Sequence, residues 1–187
     1  MRFSVVCYLD SDSSNAVRSI QEKLGELTGA RASLDLWKPH ITVGDGIEVD
    51  DNDLDTVKSV FKNIAENTNP FFVSMNDILK IDFREGGVGE TTTPYGLYLD
   101  VVRNDDLLKL VEKVSKVSER LNKWYFMPSP YHPHCALAFK DLDEAGFVKG
   151  ARYLDDQALN IQARIDHVAL VEMLPDKTRE FYRFNFS

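Results

Sequence analysis

Two Pro-His pairs constrain this chain more than any other feature in it. KPHITVG (Lys38 to Gly44) and HPHCALAF (His132 to Phe139) each put a histidine after a proline, at the head of a short apolar run. The chain has 4 histidines, and 2 of them take this place. His40 and His134 lie 94 positions apart, and so do Phe3 and Leu97, each in the first apolar strand of its half. A repeat longer than solenoid periods predicts two lobes of one domain, roughly 1–85 and 94–187.

The elements follow the same order in both halves. Arg2 to Leu9 is apolar and β-branched and reads as a strand. Ser13 or Ser14 is then a candidate cap for a helix with Val17, Ile20, Leu24 and Leu27 on one face, stopped at Gly29. The first histidine strand comes next, then a helix marked by Leu54, Val57, Phe61 and Ile64, then a strand from Phe71 to Phe83. The second half offers a strand at Tyr95 to Val102, a cap at Asn104 and a helix striped by Leu107, Leu110, Val111, Val114, Val117 and Leu121. The second histidine strand follows, then a short helix near Asp143 to Tyr153 and a long strand region from Leu159 to Met173. GGVGETTT, Gly86 to Thr93, is the natural crossing loop. The closing HVALVEMLPDKTREFYRFNF reads as a hairpin turning at Pro175 and Asp176, which favours antiparallel sheets over a doubly wound nucleotide fold.

Composition excludes several classes. With 30 acidic against 22 basic residues and a net charge of −8, the chain lacks the overall field that long duplex nucleic acid requires, although a local cationic pocket can still hold one phosphate. No run of apolar residues reaches membrane-spanning length, and the N-terminal apolar stretch is too short for a signal-peptide core, so a cytoplasmic, membrane-free monomer is expected. Cys7 and Cys135 sit in apolar runs without metal or redox spacing and read as buried free thiols. The Gly-rich loop carries neither phosphate-binding glycine motif, and DNDLDT fails as a calcium loop because Thr56 and Lys62 stand at its glycine and glutamate positions.

His167 reads as a structural residue. His132 and His134 share a face, yet Pro133 and the lack of an accompanying acidic or cysteine cluster argue against a metal site. His40 and His134 differ, because the repeat gives them equivalent places. If the lobes are related by a pseudo-twofold, two imidazoles face each other across a cleft, the arrangement of a general acid and a general base.

KPHITVG and HPHCALAF in repeated units, with the closing hairpin, resemble the 2H phosphoesterase superfamily, which includes the 2′-5′ RNA ligase-like proteins and cyclic nucleotide phosphodiesterases. The resemblance covers nearly the whole chain. It implies an α+β, bilobal duplicated fold with two antiparallel sheets flanking a central cleft and helices outside, a single domain over 1–187. It also implies paired HxT or HxS motifs, no metal or other cofactor, and cyclic phosphodiesters of nucleotides or RNA ends as substrates.

In such a substrate, a ribose 2′,3′-cyclic phosphate, one histidine takes a proton from water and the other protonates the leaving oxygen. Thr42, two residues beyond His40, shares its face and offers a hydroxyl to a non-bridging oxygen. The second motif departs from the family pattern: Ala136 stands where threonine or serine is expected, and alternation turns Cys135 to the core. Candidate replacements are Tyr131, Ser129 and the Thr91 to Thr93 loop, with Arg84 or Lys38 as cationic help. If none replaces it, a threonine at 136 restores the donor. The alternative is a nucleotide- or RNA-end-binding protein of the same fold whose catalysis is weak or lost. Trp37 and Trp124 precede the two motifs as candidate base-stacking surfaces or core residues.

Overall fold

The computed structural model describes residues 1–83, 94–121, 131–174 and 177–187. The crossing loop, Arg84, the Thr91 to Thr93 segment, Trp124, Ser129 and the Pro175–Asp176 turn lie outside the described residues. In chain order the elements are β1 (Arg2–Tyr8), α1 (Ser11–Thr28), α2 (Ala32–Leu36), β2 (His40–Glu48), a 3₁₀ turn at Asp51–Asp53, α3 (Leu54–Glu66), β3 (Phe71–Asp82), β4 (Tyr95–Val101), α4 (Asp105–Leu121), β5 (His134–Phe139), α5 (Glu144–Asp155), β6 (Ile161–Ile165), β7 (His167–Met173) and β8 (Thr178–Asn185).

The strands form two four-stranded sheets, ordered β2-β1-β7-β8 and β5-β4-β3-β6, and every pairing is antiparallel. The sheets therefore do not coincide with the sequence repeats. The last strand of the first half, β3, pairs with β4 of the second, while β7 of the second half pairs with β1 of the first. The helices cross over as well: α3 and α4 cover the first sheet, and α1 and α5 cover the second. One continuous apolar core, including Phe3, Phe61, Leu24, Leu97, Leu107 and Leu137, runs beneath both sheets. Chain exchange of this kind makes each sheet depend on both halves of the sequence.

Three expectations are corrected. The cap of α1 is Asp10, not Ser13 or Ser14. Its Oδ1 accepts from the backbone N–H of Asp12 and Ser13, and its Oδ2 accepts from the Arg164 N–H at 2.7 Å, so this one carboxylate ends a helix and ties it to β6. Ser13 instead sends its hydroxyl to the Gln162 carbonyl. Leu27, placed on the apolar face by spacing, is 37% exposed. The long strand from Leu159 to Met173 breaks at Asp166 into β6 and β7, which belong to different sheets. Apolar residues run on through that break: β6 buries Ala163 and Ile165 in alternation, β7 is buried from His167 to Glu172, and the change of partner separates them.

The remaining boundaries follow local chemistry. Gly29 ends α1 in the left-handed region at φ 80°, its N–H returning to the Gly25 carbonyl. Asn104 caps α4 by accepting from the Leu107 N–H at 2.9 Å. In β1, Phe3, Val5 and Cys7 face the helices while Val6 and Tyr8 face the opposite way, against Ala169, Val171 and Trp37. No helix among the described residues is long and apolar enough to cross a membrane.

Candidate active site

The two histidine strands, β2 and β5, are edge strands of their sheets, and they come together. The Cys135 thiol lies against the backbone N–H of His40, and the Tyr131 hydroxyl donates to the Thr42 carbonyl oxygen at 2.9 Å. Both cysteines are buried and unpaired, and burial pushes both thiols well above their ordinary range, so they are packing groups rather than nucleophiles. Between the inner faces of the sheets opens a cleft of about 650 Å³. His40, Thr42, His134 and Ala136 all line it.

Pro39 and Pro133 set up the two imidazoles in the same way. His40 Nδ1 lies 2.8 Å from the Lys38 carbonyl oxygen, and His134 Nδ1 lies 2.9 Å from the His132 carbonyl oxygen. A carbonyl only accepts, so Nδ1 carries the proton in each ring and Nε2 is left for chemistry. Neither Nε2 is hydrogen-bonded among the described residues. Burial pushes the His40 pKa down to about 4, with the nearby His134 adding to the effect and the Lys38 carbonyl and Asp45 opposing it. Burial likewise lowers His134, the more so beside His132. Each imidazole is thus neutral in the free cleft at pH 7, and the two sense each other's charge.

Aromatic rings hold both in place. Trp37 stacks on His40 with centroids 4.6 Å apart and planes 29° apart. Tyr98 meets His134 edge to face at 4.8 Å and 70°. One face of the Trp37 indole is therefore taken by His40, which makes the tryptophan a support for the ring. Lys38 lines the cleft with its ammonium over the Tyr8 ring and 4.0 Å from Glu180. His132 also lines the cleft and pairs through Nε2 with Asp100 at 2.9 Å. His167 is buried in β7 and bound through Nδ1 to Asp166. Among the described residues, no three His, Cys, Asp or Glu side chains converge in a group that could hold a metal ion.

The hydroxyls are arranged unequally. Thr42 shares the cleft face of His40, and its side chain makes no hydrogen bond among the described residues. Ala136 occupies the matching place beside His134 and offers none. Tyr131 does not line the cleft, and its phenolic proton is committed to Thr42. Sequence reasoning passed over Tyr98, which lies directly across the ladder from Ala136. The signal was Gly96 in YGLYLDVV, since a glycine inside a strand often marks a close approach. A Cβ built on Gly96 would come within 2.4 Å of Tyr98 Cε2 and 2.5 Å of its hydroxyl oxygen, so the ring lies flat along the strand where only glycine fits.

Two antiparallel sheets around a cleft with a histidine on each facing edge define a 2H-type fold, and solved structures share it over the full length. TT0787 of Thermus thermophilus superimposes with a TM-score of 0.68 at 16% identity, covering 100% of this chain and 98% of that one. E. coli LigT, in its complex with 3′-AMP, gives 0.66 at 13% identity, with 100% and 98% covered. A structure described as a phosphoesterase gives 0.63 at 14% identity, with 100% and 98% covered. No curated protein sequence matches the chain. The profile of the 2′-5′ RNA ligase superfamily matches residues 34–177, a span that contains both histidine strands. The chain belongs to that superfamily, within the 2H phosphoesterases.

Proposed function

We propose that this protein is a metal-independent phosphodiesterase that opens 2′,3′-cyclic phosphates, or related cyclic or 2′-5′ phosphodiesters, of nucleotides or RNA ends. The observation that carries the reading is the shared tautomer of the two cleft histidines, each with Nδ1 on the carbonyl of the residue two positions before it. Membership of the superfamily and the phosphoesterase-like fold support it, as does E. coli LigT's having been solved with 3′-AMP, ATP and NADP+.

His40, which burial keeps neutral, is the base, and its Nε2 takes a proton from the attacking water. As the water oxygen bonds to phosphorus, the bond to one ribose oxygen breaks. That oxygen receives the Nε2 proton of a protonated His134. The product is a phosphomonoester, and the two histidines end with their protonation states exchanged, to be reset by solvent. Thr42 donates to a non-bridging oxygen as charge builds there. Lys38 adds positive potential at the rim.

The test is phosphorus NMR of chelator-treated protein with the four 2′,3′-cyclic nucleotides, which separates 2′- from 3′-phosphate products. Turnover should survive the chelator and vanish in His40→Ala and His134→Ala with melting curves intact. Activity lost in chelator and regained with zinc or manganese would overturn the mechanism. The missing hydroxyl at Ala136 favours a second reading, a binding protein without useful turnover, for which the same nucleotides would bind and remain intact.

A further inference from the structure

We propose that Tyr98 supplies the phosphate-binding hydroxyl that the second histidine strand lacks. The assignment rests on the phosphodiesterase reading above and names a residue for it. In the first sheet, Thr42 stands directly opposite Val6; in the second, Ala136 stands directly opposite Tyr98. With the histidines superposed, Thr42 corresponds to Ala136 and Val6 to Tyr98. Each of these cross-strand pairs carries one hydroxyl, held by the histidine strand in one lobe and by its neighbour in the other. Directly opposed residues have Cβ atoms about 4.5–5.5 Å apart; the Tyr98 ring leans along β4 with its hydroxyl over Gly96, so it approaches the cleft from the Phe139 side of Ala136.

Space and polarity agree with the exchange. The Tyr98 ring lines the cleft between His134, at 4.8 Å, and Phe139, at 5.7 Å, and Gly96 leaves the strand bare beneath it. The residue is only 3% exposed, and its hydroxyl has no hydrogen-bond partner among the described residues. Among the described residues the fully buried unpaired side-chain atoms are Gln21 Oε1, Tyr95 Oη and His167 Nε2, so the Tyr98 oxygen keeps contact with the solvent of the cleft, where a ligand can reach it. Burial raises the phenol's pKa, so the group keeps its proton and acts as a donor. In the other lobe, Val6 packs with Tyr8, Ala169 and Val171 beneath Trp37 and offers nothing polar, while Thr42 does.

Tyr98→Phe removes the oxygen and keeps the ring against His134. With the cyclic nucleotide that the wild type turns over best, kcat should fall about 100-fold to 1,000-fold, the usual cost of one preorganised donor, with the melting curve unchanged. Adding Ala136→Thr to Tyr98→Phe should return at least about a tenth of the lost rate by restoring the donor on β5. Calorimetry with 2′-AMP should follow the same order, binding weakened in Tyr98→Phe and strengthened in the double variant. A wild type that turns over while Tyr98→Phe keeps more than about a third of its rate overturns the assignment but not the phosphodiesterase. If the wild type binds 2′-AMP without hydrolysing cyclic nucleotides, an unchanged Kd in Tyr98→Phe overturns it. A wild type that neither hydrolyses nor binds them removes the underlying reading, and the assignment goes with it.

Discussion

Replacing Gly96 by alanine should damage this protein through one contact. The three atoms nearest the new Cβ all belong to Tyr98: Cε2 at 2.4 Å, the hydroxyl oxygen at 2.5 Å and Cζ at 2.6 Å. Ordinary contact begins near 3.4 Å, so the far end of the ring must retreat by about 1 Å. The move is hemmed in, with Phe139 and His134 against the same ring. Overpacking of this kind costs about 1–3 kcal/mol, and alanine recovers roughly 0.5–1 kcal/mol by restricting the unfolded chain. A net loss of about 1–2 kcal/mol follows, which lowers Tm by about 2–8 °C in a chain of this size.

The assay is a double-mutant cycle read by denaturant unfolding. Gly96→Ala should be costly in the wild type and nearly free in a Tyr98→Ala background, because the clashing atoms are gone, giving a coupling energy of about 1–2 kcal/mol. Gly25→Ala in α1 is the control. Its new Cβ meets nothing closer than the Ala30 carbonyl at 3.4 Å, so it should be neutral or stabilising by up to about 1 kcal/mol. The same penalty for Gly96→Ala in both backgrounds would refute the reasoning, since the cost would then lie in the strand and not in the ring above it.

The histidines predict two pH effects. Folding depresses their pKa values, so between about pH 4 and 6.5 the unfolded chain binds more protons; their contribution is complete above pH 6.5 and is lost as pH falls towards 4. Because the His40 ring faces an open cleft, its share is discounted to about 1–2 kcal/mol, and urea melts of His40→Gln against wild type at pH 7.5 and 4.5 should show a flatter dependence in the variant. Catalysis through one protonated and one neutral imidazole should make kcat/KM rise as pH falls from 8 to about 6, and a profile flat over that range would reject the pair. Asp10→Ala should cost about 2–3 kcal/mol in unfolding experiments, since it frees the cap of α1 and the Arg164 N–H together; those N–H donors, working against burial, hold the Asp10 carboxyl below its ordinary range. Phe61→Ala, from 0% exposure against Phe184, should cost about 3–5 kcal/mol by the same measurement.

Much of this architecture was legible because its signals are local. Both histidine strands, the apolar stripes of α3 and α4 and the Asn104 cap are written in short stretches of sequence, and the structure has them where the spacing puts them. Strand partners are not local. Nothing between Leu159 and Met173 announces that its two halves join different sheets, and nothing in β1 announces that it pairs with β7 at the far end of the chain. The Asp10 cap was missed because Ser13 and Ser14 are equally good capping types, and the Arg164 N–H that selects Asp10 lies 154 residues away.

The same limit explains why Tyr98 was not among the candidates for the second hydroxyl. Phe3 and Leu97 keep the histidines' spacing of 94, and this suggested that the first strands of the two halves are aligned at that spacing too. In the ladders, however, His40 stands opposite Tyr8 and His134 opposite Asp100, so the first strands correspond at a spacing of 92. A two-residue shift preserves which face each side chain takes, so burial patterns gave no warning. It does change which residues are opposed: at 94 the counterpart of Tyr98 is Ser4, whose hydroxyl is bound to Asp45 at 2.6 Å, while at 92 it is Val6, the partner of Thr42. The unit on which the two lobes are to be compared is therefore the cross-strand pair and not the tripeptide motif. On that unit, the second lobe has moved its hydroxyl from one strand to the next.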